Sequence, residues 1–121
     1  MTHDLFYDEE NEILTLKFNH HFMRADVEPM FSKAKELLEG KTIRQVLLQT
    51  TKEYNVENRE TRESVARELS KLSVSDIAFV GIGATERMIA RVIIKTLIKL
   101  NGEFFKSKEE AIEWLKNQRK K

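Results

Sequence analysis

The chain reads as an α/β domain with elements in the order β-β-α-β-α-β-α-β-α, its sheet largely parallel, opened by a hairpin and covered by helices. Three observations predict this. The apolar runs Val46-Leu47-Leu48 and Ile77-Ala78-Phe79-Val80 are continuous rather than alternating, as in strands buried on both faces. Segments with apolar residues at helical spacing fall before, between and after those runs. The one short polar connection between two strand-like segments lies near the start, so pairing elsewhere is parallel.

Each element follows in order. Leu5-Phe6-Tyr7 predicts a short strand, and Asp8 to Glu12 a polar turn. Leu14, Leu16 and Phe18 alternate with Thr15 and Lys17, the period of a half-buried strand, which completes the hairpin. Val27, Met30, Phe31, Ala34, Leu37 and Leu38 form one helical stripe, with Asp26 at the N-cap, Pro29 in the first turn and Gly40 at the left-handed end. Ile43 to Gln49 is a central strand, and Thr50 to Asn58 a polar loop. A helix over Glu60 to Leu72 turns Val65, Leu69 and Leu72 inward, and Asp76 to Ile82 is a second buried strand. Thr85 caps a long helix, Glu86 to Leu100, that stops at Asn101-Gly102; Glu103 to Lys106 is a last short strand. Ser107-Lys108-Glu109-Glu110 is a capping box that opens a helix through Trp114 and Leu115. Trp114 is expected over the sheet edge beside Phe104 or Phe105.

Composition narrows the function classes. A length of 121 residues suits a single domain, residues 1–121, and no staple is needed to fold a chain of that size. The absence of cysteine excludes a disulfide framework, thiolate metal sites and cysteine nucleophiles. Lysine plus arginine (21) against aspartate plus glutamate (20) gives a formal charge of +1, which argues against a dedicated nucleic-acid binder. The acidic start predicts no secretory signal. The longest apolar stretch, Met88 to Leu100, is broken by Arg91, Lys95 and Lys99, well short of a membrane span of ~20 residues. A cytoplasmic protein without a transmembrane segment is expected.

The second half has a recognisable texture. Ile77-Ala78-Phe79-Val80-Gly81, then Thr85-Glu86-Arg87-Met88-Ile89-Ala90-Arg91, then Phe104 through Leu115 with its Ser-x-Glu-Glu-Ala-x-x-Trp-Leu close, resemble the STAS or SpoIIAA-like domains of anti-sigma-factor antagonists and their uncharacterised relatives. The resemblance covers nearly the whole chain and rests on structural motifs. It implies a non-enzymatic module that binds a protein, nucleotide or lipid-like ligand. Anti-sigma-factor antagonists carry a phosphorylatable serine, usually after aspartate, at the start of the helix following the central strand. Thr50 to Ser64 has no Asp-Ser pair there, and neither Thr61 nor Ser64 matches, so the phosphorylation switch does not carry over.

Four constellations bear on function. His20-His21 and His3 are the only imidazoles, and adjacent histidines diverge rather than converge on a metal, so they read as loop residues, with a weak site alongside Asp26 and Glu28 as the alternative. Gly81-Ile82-Gly83-Ala84-Thr85 joins a buried strand to a helix N-terminus, and reads either as a tight turn or as an anion or nucleotide site. Thr50 and Thr51 end a parallel strand on the edge where α/β proteins bind ligands, with Tyr54 in the following loop. On the long helix, Ile89, Ile93, Thr96, Leu97 and Leu100 face the sheet. Arg87, Arg91, Lys95 and Lys99 then form a basic ridge with Ile94 and Ile98 at least partly exposed beside it. This reads either as a contact surface for a second copy, an acidic partner or an anionic membrane, or as a face whose isoleucines the terminal helix covers.

These residues predict a regulatory or ligand-binding STAS-like module that acts through protein-partner recognition or self-association, with a small-molecule or lipid-like ligand as a further possibility. No catalytic set, metal site, cofactor or nucleic-acid partner is expected. The alternative is a small enzyme or a nucleotide- or anion-binding protein that uses the Gly81–Thr85 turn.

Overall fold

The computed structural model describes residues 3–51, 53–95 and 100–120. Strands β1 (Asp4–Asp8) and β2 (Ile13–Lys17) form the expected antiparallel hairpin. Its turn is fixed by the Asp8 carboxylate, which accepts from the Asn11 amide at 3.2 Å and the Asn11 side chain at 2.8 Å. The chain continues through α1 (Arg24–Leu38), β3 (Gln45–Gln49), α2 (Arg59–Lys71), β4 (Asp76–Val80), α3 (Ala84–Ile93), β5 (Asn101–Phe105) and α4 (Lys108–Gln118). The sheet runs β1-β2-β3-β4-β5 and is parallel from β2 onward.

Each parallel crossover steps to the next strand in the same direction. Crossovers of one hand that step one way deliver their helices to one face of the sheet. Leu14, Leu16, Val46, Leu48, Ile77 and Phe79 meet Met30, Phe31 and Ala34 of α1, Leu69 of α2 and Ile94 on that face. Ile13, Leu47, Ala78 and Val80 point the other way, onto Ala111 and Leu115 of α4. Both faces of β3 and β4 are therefore apolar, which is why their sequences do not alternate.

Several local expectations change. Asp26 does not stand at the N-cap of α1: that position is Met23, and Asp26 reaches back from the first turn to accept from the Met23 amide at 2.9 Å. The Asp26 carboxylate still caps the helix, from a position three residues past the true N-cap. Ser107 caps α4 as expected and accepts from the Glu110 amide. Strand β5 begins at Asn101, so Gly102 lies in a strand rather than at a helix stop. A Cβ at Gly102 would come within 2.8 Å of Ile94 Cδ1, so its bare backbone is what lets Ile94 settle against β5.

That contact also corrects the reading of α3. The sequence places Ile94 at the surface, but it is buried at 8 % exposure. Glu86, Ile89, Ala90, Ile93 and Ile94 recur at i, i+3, i+4, i+7 and i+8, and this stripe, which adds Glu86, Ala90 and Ile94 to the Ile89 and Ile93 of the sequence reading, is the inner face. The exposed apolar residues are instead Met88 and Val92, at 70 % and 58 %. Helical winding continues as a π turn at Ile94 and Lys95; Thr96, Leu97, Ile98 and Lys99 lie outside the described residues.

Candidate functional site

The C-terminal ends of β3 and β4 open into a cavity of about 490 Å3. Its floor is the sheet (Leu48, Ile77, Phe79), and its walls are Val65, Ala66 and Leu69 of α2 and Ile89, Ala90 and Ile93 of α3. No residue of α3 is fully buried, because this helix faces the cavity rather than closing on the strands. The volume lies within the ~300–1,000 Å3 typical of small-molecule sites, and the position is the one where α/β sheets bind ligands.

The mouth is built by the loop after β3. The Phe22 amide donates to the Asn55 carbonyl at 2.9 Å, and the Glu57 amide to the Phe22 carbonyl at 2.8 Å. The Asn55 amide donates to His21 Nδ1 at 2.9 Å, and the His21 ring stands edge-on to Tyr54 at 5.9 Å. His21 thus pins the loop that carries Asn55 and Tyr54 into the cavity wall. Glu57 Oε1 accepts from the Arg24 amide at 2.8 Å and lies 3.5 Å from the Thr61 hydroxyl. Asn58 caps α2 by accepting from the Thr61 amide. Thr61 itself is fully buried, with no exposed hydroxyl to modify.

Two buried polar atoms of the cavity wall have no partner among the described residues, Arg62 Nε and Asn55 Oδ1. Buried polar groups in proteins are almost always paired, and an unpaired buried guanidinium N–H is expensive.

The other residues singled out in the sequence divide. Thr50 and Tyr54 line the cavity, whereas Thr51 and Thr85 are exposed and outside it. Gly81 has φ +84°, and a Cβ there would collide with the Thr50 carbonyl oxygen, so this glycine serves the junction of β3 and β4. At Gly83, the N-cap of α3, the Glu86 carboxylate lies so close that a Cβ would sit 2.5 Å from Oε1. A carboxylate of the chain itself thus lies beside the helix start that the sequence offers to an external anion. Of the basic ridge, Arg87 and Lys95 are exposed, while Arg91 turns to β5, 3.2 Å from Glu103 Oε1 and over the Phe104 ring at 4.6 Å.

The histidines gather in a way their spacing hides. His3 Nε2 lies 3.1 Å from Asp26 Oδ2, and the His3 and His20 rings are 4.0 Å apart, so three metal-ligating side chains meet. The Asn19 amide donates to His3 Nδ1 at 3.2 Å, which leaves the proton of the neutral ring on Nε2, donated to Asp26. A metal would need that nitrogen bare. The cluster therefore ties the start of β1 to the start of α1. Burial pushes the His3 pKa down, and this outweighs the opposing pull of Asp26.

The fold is SpoIIAA-like. An uncharacterised protein of the DUF3478 family from Shewanella loihica PV-4, itself of SpoIIAA-like fold, superposes with a TM-score of 0.67 at 17 % identity, over 94 % of this chain and 92 % of that one. No protein-family model matches this chain. No curated protein matches it either. No helix among the described residues is long and apolar enough to cross a membrane.

Proposed function

We propose that this chain is a non-catalytic STAS-like binding module whose ligand is a small apolar molecule held between α2, α3 and the sheet. The observation that carries the reading is the cavity of about 490 Å3 at the C-terminal ends of β3 and β4, walled mostly by aliphatic and aromatic side chains. An apolar occupant gains about 0.8 kcal/mol per buried CH2. The non-catalytic part rests on the wall chemistry: Glu57 is committed to the Arg24 amide, and the near nitrogen of His21 to the Asn55 amide. Neither group is placed as a base beside a nucleophile.

Decanol is a suitable probe. Binding raises the melting temperature with concentration by mass action, and Ile89→Trp, which fills the cavity, removes the shift. A melting temperature indifferent to decanol and to other apolar probes overturns the reading.

Partner recognition, the other half of the module's role, is supported by the outer face of α3. Met88 and Val92 are exposed there between Arg87 and Lys95. Apolar residues rimmed by charge are typical of contact surfaces. Met88→Glu with Val92→Glu abolishes self-association or partner capture if this face is used, and leaves both unchanged if it is not.

A further inference from the structure

Resting on the ligand-binding reading above, we infer that the cavity is selective for an amphiphile with a single carboxylate head, and that Arg62 is the residue that reads it. Arg62 stands in the first turn of α2 on the cavity wall. Its Nε–H is buried and meets no acceptor among the described residues. Two carboxylates share that wall, yet neither lies within ion-pair distance of Arg62. Glu57 is held by the Arg24 amide, and Glu86 sits at the N-cap of α3 beside Gly83. The guanidinium is thus left unpaired beside an apolar chamber, the arrangement that a carboxylate completes with a charge-assisted hydrogen bond.

Asn55 supplies a second contact. Its Oδ1 is also buried and unpaired on the same wall. A half-turn of the amide exchanges oxygen for the NH2 donor without changing its shape. Arg62 and Asn55 then offer two donors to the two oxygens of one head group.

The surrounding charge selects among anions. Glu57 and Glu86 on the wall add two negative charges against the one guanidinium. Their repulsion acts on any anionic head but is twice as large for a dianionic phosphate, so a monoanionic carboxylate opposite Arg62 is the less disfavoured. The apolar floor of Leu48, Ile77 and Phe79 accommodates an aliphatic tail.

The test compares decanoate, decanol and decyl phosphate, below their micellar concentrations, by calorimetry on wild-type protein and on Arg62→Leu. Decanoate is expected to bind wild-type protein about tenfold tighter than decanol or more, as a hydrogen bond to a charged group implies. In Arg62→Leu the two affinities become equal while decanol binding persists. Equal affinities in wild-type protein, or a decanoate preference that survives in Arg62→Leu, overturn the assignment and leave the cavity reading standing. A preference for decyl phosphate overturns the carboxylate assignment. Failure of all three probes to bind overturns both readings. Should Arg62→Leu not fold, Arg62→Gln, which removes the charge, takes its place, and a decanoate preference undiminished in it overturns the assignment.

Discussion

Gln45 and Arg119 are joined by a 2.8 Å hydrogen bond across 74 residues of sequence. Gln45, 1 % exposed at the start of β3, takes the Arg119 guanidinium on Oε1 and donates Nε2 to the Leu115 carbonyl at 2.7 Å and to Asp76 Oδ2 at 3.0 Å. Arg119 also donates to the Asn11 carbonyl at 2.6 Å. One buried amide thereby fastens the end of α4 to the hairpin turn and the two central strands. Gln45→Leu strands these donors and acceptors together, and is expected to lower unfolding free energy by about 1–3 kcal/mol, measured by urea titration.

The two glycines at positive φ separate dihedral strain from collision. Gly40 has φ +79° and open space where a Cβ would stand, so Gly40→Ala carries only the left-handed penalty, about 1–2 kcal/mol. Gly81→Ala meets the Thr50 carbonyl as well, and should lose about 1–3 kcal/mol more, as overpacking does. Equal losses in the two variants would remove the close β3–β4 junction from the account.

Stability should fall with acid in a way that His3 controls. Burial lowers the folded pKa of His3 below its usual 6.5, so below about that pH the unfolded chain takes up the proton more readily than the folded one. Stability is full above 6.5 and declines as pH falls toward the folded value. For Asp26, burial pushes the pKa up, but the hydrogen bonds from the Met23 amide and His3 outweigh it and hold it below 3.8. Its contribution is present above 3.8 and is lost as pH drops through the folded value. Thermal melts from about pH 7 to about pH 5 should show a smaller decline for His3→Gln than for wild-type protein.

The two faces of α3 give opposite results with one substitution. Ile94→Glu places a charge against Ile77 and Gly102, and is expected to destabilise by about 3 kcal/mol or more. Val92→Glu, two residues earlier and 58 % exposed, should change stability by no more than about 0.5 kcal/mol. Equal effects would mean that the helix is rotated from its described setting.

The sequence by itself determined the order of elements, the parallel sheet and its hairpin, because these follow from local signals: continuous apolar runs at Val46–Leu48 and Ile77–Val80, the helical stripe through Met30 and Ala34, the capping Ser107. It also placed Thr50 and Tyr54 at the edge onto which the cavity opens, since that edge lies at the strand ends. It missed Arg62 and Asn55, which in sequence resemble members of a solvated helix face and a polar loop. Whether a polar atom has a partner depends on what the fold brings within hydrogen-bond reach of it, and sequence spacing carries no such distance. The same limit explains His3, which meets Asp26 across 23 residues, and Ile94, whose burial depends on the missing side chain of Gly102 in another element. Local periodicity decides which elements form. Only their packing decides which side chains are left facing a cavity, because that depends on the gap between α2, α3 and the sheet.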